Sequence, residues 1–322
     1  MNELTVTTAS IATTDTKTWD EWCKEFFDYV DRTPQTERTY KLALDRFKKW
    51  LDENNIIAPQ RDDIKLYRNY LLANYKPTTV QMYMQTLRKF FRWTAICGYY
   101  KDVADNVHTN APVSDIHKRD ALTDTQVQEL LAVSDEPQRT ELRNKAIMKL
   151  ALNVGLRVCE IVRADIGDLQ EREGQMGIYI HGKKRAGKYE HLPISIAAER
   201  AIRQYLATRP VCDNNAPMFA SENHATQGAR LTTRSVSRIV KDEMRKVGIN
   251  SPRLTAHSIR HTAITMAAEE LIKAGDPQAL QKVQQFARHT KLDTTLIYFH
   301  DRQRKLNNCG QLVANRLAQL CG

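Results

Sequence analysis

The chain has 322 residues, with 48 Lys plus Arg against 38 Asp plus Glu, a net charge of +10 and 42% apolar residues. This is a globular composition, and at about 150 residues per domain the length suggests two domains, each large enough to bury a core. No stretch approaches the roughly 20 apolar residues that span a bilayer, so no membrane partner is expected; the run Ala146–Leu156 is broken by Lys149 and Asn153. The N-terminal segment lacks a basic n-region and an apolar core, so no secretory signal is expected. Cys23, Cys97, Cys159, Cys212, Cys309 and Cys321 lie far apart with no CxxC pair. That argues against a disulfide scaffold or a zinc ribbon and fits a reducing, cytoplasmic location. The positive charge predicts a polyanionic partner such as nucleic acid.

Residues 1–17 are rich in Thr, Ser and Ala and read as a disordered tail. From Trp19 an apolar period begins, and Trp19, Trp22, Phe26 and Val30 fit one helix face. Thr33-Pro34 interrupts it. A second face carries Tyr40, Ala43, Leu44, Phe47, Trp50 and Leu51, a third Ile64, Tyr67, Tyr70 and Leu71, and a fourth Val80, Tyr83, Leu87, Phe90 and Phe91. The spacing predicts an all-α domain over 18–105 whose aromatic stripes are core. Its polar faces hold Arg46, Lys48, Lys49, Arg88, Lys89 and Arg92. Such charge is a solvated face or, in a basic protein, a phosphate contact.

Residues 106–119 are polar and aperiodic and read as a linker carrying Lys118 and Arg119. A second domain is expected over 120–322. Thr123 with Gln126 forms a capping box. A helix follows from Leu142 to Val154, with Gly155 as its C-cap. A short helix carries Val158, Ile161 and Val162. Then the period changes to strands around Ile178–Ile180 and His191–Ile194, joined by the turn Gly182–Gly187. Helices return at 196–207, 232–247, 257–273, 277–287, 291–298 and 310–320.

Four patches hold the chemistry-bearing residues. They are Gly155-Leu156-Arg157 through Glu160, the turn lysine Lys183, the run His257-Ser258-Ile259-Arg260, and His289 followed by Thr294 and Tyr298. The set contains no paired carboxylates, no HExxH and no Cys/His metal spacing, so no metal and no cofactor is expected. A cluster of cations suits an anion, and two arginines suit a tetrahedral phosphate because each guanidinium donates a fork of hydrogen bonds. His257 and Arg260 share a helix face. A tyrosine hydroxyl becomes a nucleophile toward such a phosphate when a base takes its proton. A lysine can protonate the departing 5′ oxygen. The product, a phosphotyrosyl ester, retains the energy of the broken bond, so a second hydroxyl can reseal the strand without ATP.

These residues, in this order, resemble the tyrosine recombinase (phage integrase) family over about 18–305. The segment Arg143–Asp168 looks typical of the family's first arginine box, and Arg, Lys, His-x-x-Arg, His and Tyr follow at matching positions. The resemblance implies a mainly α fold with a small β-sheet. It also implies a two-domain, C-shaped clamp of an all-α, SAM-like core-binding domain and a mixed α/β catalytic domain on double-stranded DNA. It implies that Arg157 and Arg260 clamp the scissile phosphate, Lys183 is the general acid, His257 a base or positioner, His289 a phosphate donor and Tyr298 the nucleophile. Glu160 resembles an acidic residue that supports the arginine region. The activity implied is site-specific recombination for integration, excision or resolution, by a homotetramer on two sites in the nucleoid, with accessory DNA-bending or directionality proteins as possible partners. Only about 17 loose residues precede Trp19, which fits the simple two-domain members without an arm-binding domain.

One position departs from the family pattern. The residue before the second histidine is usually a glycine; here it is Arg288, expected to add a phosphate contact or reshape the turn. Lys184, Arg185 and Lys188 are expected to reach DNA backbone. The C-terminal segment Leu306–Leu320, with Leu312, Val313, Leu317 and Leu320, suits a groove on a neighbouring subunit or on its own domain. The match of Gly182–Lys188 to GxxxxGK is a decoy, since Tyr189 stands where a phosphate loop needs Ser or Thr and the chain continues as a strand. His261, His300, His181, His191, Tyr179, Tyr189 and Tyr205 read as structural. Alternatives are a type IB topoisomerase, told apart by relaxation without site preference, a DNA-binding protein without catalysis, and a metal-dependent nuclease, told apart by sensitivity to EDTA.

Overall fold

A computed structural model of the chain describes residues 18–31, 33–109, 120–132, 138–181, 188–210, 213–306 and 316–320. The chain divides into two compact units, Met1–Ser114 and Asp115–Gly322.

Among its described residues the first unit has four helices: α1 (Trp19–Tyr29), α2 (Pro34–Glu53), α3 (Arg61–Asn74) and α4 (Pro77–Ile96). Their starts follow from local chemistry. Thr18 caps α1 in a reciprocal box with Glu21. Pro34 and Pro77 open α2 and α4, where a missing N–H leaves nothing unsatisfied. The core is aromatic, as the stripes predict. Phe26, Phe47 and Phe90 are fully buried, and Phe26 meets Phe90 edge to face at 5.4 Å. Such pairs add about 1 kcal/mol beyond the area they bury. Part of the basic face is paired within its own helix or on nearby rings. Lys48 pairs with Asp52 and Lys49 with Glu53, and Arg46 lies over the Tyr75 ring at 4.6 Å.

The second unit holds α5 (Asp124–Ala132), α6 (Arg139–Val154), α7 (Val158–Arg163), α8 (Ile196–Ala207), α9 (Thr233–Lys246), α10 (Ala256–Lys273), α11 (Ala279–Ala287) and α12 (Asp293–Leu306). Between α7 and α8 lies an antiparallel sheet of β1 (Leu169–Arg172), β2 (Gln175–His181) and β3 (Lys188–Pro193), in that order. Thr123 and Gln126 form the expected box, with Thr123 N–H donating to Gln126 Oε1 at 3.1 Å and Gln126 N–H to Thr123 Oγ1 at 3.2 Å. β1 is absent from the sequence reading. Its four residues are mostly exposed and show no alternation; pairing with β2, in the register Leu169↔Ile178, makes it a strand. Glu173 and Gly174 both take positive φ in the two-residue turn between them, which is the hairpin geometry that matches strand twist. Gly177 in β2 lets the His191 ring close over it, since a Cβ there would lie 2.4 Å from that ring.

Helices α10, α11 and α12 meet in a small core of Ile264, Ala268, Val283, Ala287 and Tyr298. α12 runs past the expected end at 298 to Leu306. Residues 316–320 form a helical turn with Leu317 and Leu320 exposed; Leu312 and Val313 lie outside the described residues. Among the described residues no helix is long and apolar enough to cross a membrane.

Candidate active site

The site begins where α6 stops. Gly155 takes the left-handed conformation, φ 57° and ψ 42°, and turns the chain into α7. This places Arg157 at the N-cap of α7, where its backbone N–H and side chain both reach Glu160. Arg157 Nη1 donates to Glu160 Oε1 at 2.7 Å, and Nη2 donates to the Arg288 carbonyl at 3.1 Å. The Arg157 side chain is 25% exposed and that of Glu160 fully buried.

Arg260 lies one turn into α10 and is buried. Its guanidinium donates to the carbonyls of Gly155 and Ala287, so it ties the end of α6 to the end of α11. Burial, with the cations Arg157 and Arg288 nearby, brings its pKa down to about 10. His257 is exposed in the first turn of the same helix.

His289 follows α11. Its Nδ1 and Thr295 Oγ1 lie 3.0 Å apart and share a hydrogen bond. Its ring stacks near the Tyr298 ring, with centroids 6.1 Å apart. A second ring packed on Tyr298 is that of His261, which meets it edge to face at 4.9 Å. His261 and Thr295 belong to the site and were not expected there. Thr295 sits one helical turn before Tyr298, and that spacing was available as a signal; Thr294, which the sequence puts in the patch, is exposed.

Four of the six predicted catalytic residues are thus drawn together by α6, α7, α10, α11 and α12: Arg157, Arg260, His289 and Tyr298. His257 shares α10 with Arg260. Lys183 lies outside the described residues, as do Lys184, Arg185, Lys118 and Arg119. Lys188 opens β3, and its side chain lies outside them too.

Arg288 turns toward the protein interior. It caps α11 in the left-handed region, φ 53°, and its side chain, 9% exposed, turns inward. It donates to the carbonyls of Val154 and Phe286 at 3.1 Å and Gly155 at 3.0 Å, and pairs with Glu160 Oε2 at 3.0 Å. Its guanidinium is thus engaged by the turn and by the segment Val154–Glu160. In the first unit, Arg88 is half-buried and donates to the Val107 carbonyl at 3.0 Å, which braces the chain after α4. Lys89 and Arg92 are exposed, with Lys89 on the Tyr40 hydroxyl at 2.6 Å.

Glu160 therefore stands between two guanidiniums. Burial alone would push its carboxyl up; Arg288 and the Arg157 hydrogen bonds outweigh this and hold it below the usual carboxylate range. Three arginines around one carboxylate leave the site cationic. Chemically, this is a seat for an anion with a tyrosine at its edge. Among the described residues no three His, Cys, Asp or Glu side chains gather as a metal site would require.

The model of the phage integrase family matches residues 120–305, and that of the phage integrase N-terminal SAM-like domain matches residues 21–96. The chain belongs to the phage integrase family. Two relatives are named tyrosine recombinase XerC. The one from Thermodesulfovibrio yellowstonii is 27% identical over 280 residues, covering 82% of this chain and 85% of the relative. The one from Alcanivorax borkumensis is 32% identical over 227 residues, covering 69% and 68%. The crystal structure of the XerH site-specific recombinase in a post-cleavage complex with palindromic difH substrate shares the fold, with TM-score 0.67 and 19% identity over 92% of this chain and 84% of that one. A lambda integrase tetramer bound to a Holliday junction does so with TM-score 0.64 and 15% identity over 88% and 78%. Membership of this phage integrase family makes the chain an enzyme of site-specific DNA recombination.

Proposed function

We propose that the chain cleaves and rejoins DNA through a 3′-phosphotyrosyl ester on Tyr298. The observation that carries this reading is the gathering of Arg157, Arg260 and His289 around the tyrosine that the family pattern assigns as nucleophile. Arg157 and Arg260 hold the non-bridging oxygens of the scissile phosphate and offset the charge that builds in the transition state. His289 donates to the same phosphate. His257 takes the Tyr298 proton, the tyrosine oxygen attacks phosphorus, and Lys183 gives a proton to the leaving 5′ oxygen. In the second step a 5′ hydroxyl attacks the ester and releases Tyr298. No metal, cofactor or ATP enters either step.

DNA is held mainly through phosphates, by exposed Lys89 and Arg92 on α4 and by Lys118, Arg119, Lys184, Arg185 and Lys188, so binding falls steeply with salt. The working unit is a homotetramer on two sites, and the C-terminal segment with Leu317 and Leu320 docks on a neighbouring subunit. The programme served is integration, excision or resolution in the cytoplasm, with accessory DNA-bending proteins as candidate partners.

The test uses nicked DNA from the flanks of the gene, with EDTA present. Wild type should give a covalent protein–DNA band on a denaturing gel, and Tyr298→Phe should bind the DNA without giving the band. An adduct retained in Tyr298→Phe, or abolished by EDTA, overturns the reading.

A further inference from the structure

Arg288 stands where the family usually has glycine, and its surroundings give it a part in the site. A left-handed backbone costs a residue with a side chain about 1 kcal/mol or more relative to glycine. Arg288 adopts it at φ 53°. Among the described residues its buried Nε–H finds no acceptor, a further penalty. Against these stand four hydrogen bonds from its Nη atoms, three of them to the segment Val154–Glu160.

Two of its contacts bear directly on Arg157. The Arg288 carbonyl accepts from Arg157 Nη2 at 3.1 Å. The Arg288 guanidinium takes Glu160 Oε2 at 3.0 Å, while Arg157 Nη1 holds Oε1 at 2.7 Å. One carboxylate is thus shared between two cations. Arg288 adds one positive charge to the group of Arg157, Arg260 and Glu160. With glycine at 288 that charge is lost, and of these arginines Arg157 alone pairs with Glu160.

We propose that Arg288 is a positioning residue for the phosphate seat: it shares the Glu160 carboxylate with Arg157 and fixes the Arg157 guanidinium. Arg157 then meets the phosphate as a less neutralised cation. The inference rests on the phosphotyrosyl reading above. It makes Arg288 act on the rate of strand cleavage rather than on the affinity for DNA, most of which comes from phosphates away from the scissile one.

The experiment measures single-turnover cleavage of nicked site DNA by Arg288→Met, Arg288→Lys and Arg288→Gly across a range of pH. Arg288→Met keeps bulk and loses charge. It should cleave about tenfold more slowly with DNA half-saturation changed less than about twofold, the loss of one charge-assisted contact. The rising limb of its pH profile should move to higher pH, because the seat, whose Arg260 acts on Tyr298, then holds one cation fewer to favour an ionised hydroxyl. Arg288→Lys should recover most of the rate. Arg288→Gly relieves the left-handed strain, so it should fold and still cleave slowly, which separates this role from a folding defect. A wild-type rate and profile in Arg288→Met overturn the inference. So does a loss confined to thermal stability with an unmoved profile. If wild type itself forms no adduct, the phosphotyrosyl reading fails and this inference with it; an adduct in wild type with unchanged Arg288 variants sinks the inference alone.

Discussion

The His261 and Tyr298 rings meet edge to face, with centroids 4.9 Å apart and planes at 87°. His261 is itself fixed by Thr265, one turn along α10, at 3.2 Å. Both rings are buried, Tyr298 at 7% exposure. The proposed nucleophile therefore packs against two imidazoles, those of His261 and His289. An aromatic pair of this kind is worth about 1 kcal/mol beyond its area, and truncating it leaves a cavity. His261→Ala should lower stability by about 2 kcal/mol, while His261→Phe, which keeps a ring there, should lose less. Thermal unfolding of the two variants checks the order; equal loss in both would contradict it.

Arg157 and Arg260 hold several groups at once through planar forks. Arg260 reaches two carbonyls on different elements, and Arg157 reaches Glu160 and the Arg288 carbonyl. A lysine keeps the charge but offers no fork. Arg157→Lys and Arg260→Lys should each slow adduct formation by about 100- to 1,000-fold, as loss of a fixed donor to a developing charge does. Cleavage rates that stay within a few-fold of wild type, measured on nicked DNA, would argue against both as phosphate ligands.

Much of this site was legible in the sequence. The spaced order of Arg157, His257, Arg260, His289 and Tyr298 is a pattern of one-dimensional intervals, and intervals survive without a structure. So do the aromatic stripes of α1 to α4, whose 3.6-residue period needs only one buried face. What was not legible depends on direction. Arg288 sits past the end of a helix, where spacing says nothing about which way a side chain turns, and the left-handed cap turned it toward Glu160. His261 follows Arg260 by one residue, about 100° round the helix, so a motif centred on Arg260 leaves it aside. β1 is too short and too exposed to show a period and exists through its partner strand. The end of α12 is not visible in the sequence because His300–Lys305 breaks the apolar period while still consisting largely of residues a helix tolerates.

Glu160 makes stability depend on acidity. Its carboxyl is held below the ordinary value near 4.3 by Arg288 and the Arg157 hydrogen bonds despite burial. A carboxylate with a depressed folded pKa contributes stability above its unfolded pKa and loses it as pH falls through the folded value. Wild type should therefore lose stability on acidification below about pH 4.3 more steeply than Glu160→Gln, which has no proton to take up there. At neutral pH Glu160→Gln should be less stable than wild type, since it leaves Arg157 and Arg288 without their counter-charge. Unfolding midpoints taken through the acid range test both statements; parallel curves would contradict them.

Gly155 is needed for shape. It holds φ 57°, and a Cβ there would come within 3.4 Å of the Phe286 ring. Its carbonyl also accepts from both Arg260 and Arg288. Gly155→Ala should cost about 1 to 2 kcal/mol from the left-handed backbone, with a larger loss of cleavage because both arginines lean on that peptide. An unchanged unfolding midpoint would show that the turn accommodates a side chain freely.

The most direct measurement locates the covalent bond itself. Wild-type protein is trapped on nicked DNA with EDTA present, digested with nuclease and then trypsin, and the nucleotide-bearing peptide is sequenced by mass spectrometry. Cleavage after Lys291 and Arg302 gives a peptide over 292–302 that contains one tyrosine, Tyr298. A nucleotide on Tyr298 is the predicted result. A nucleotide on any other residue, or strand cleavage with no modified peptide, would contradict it.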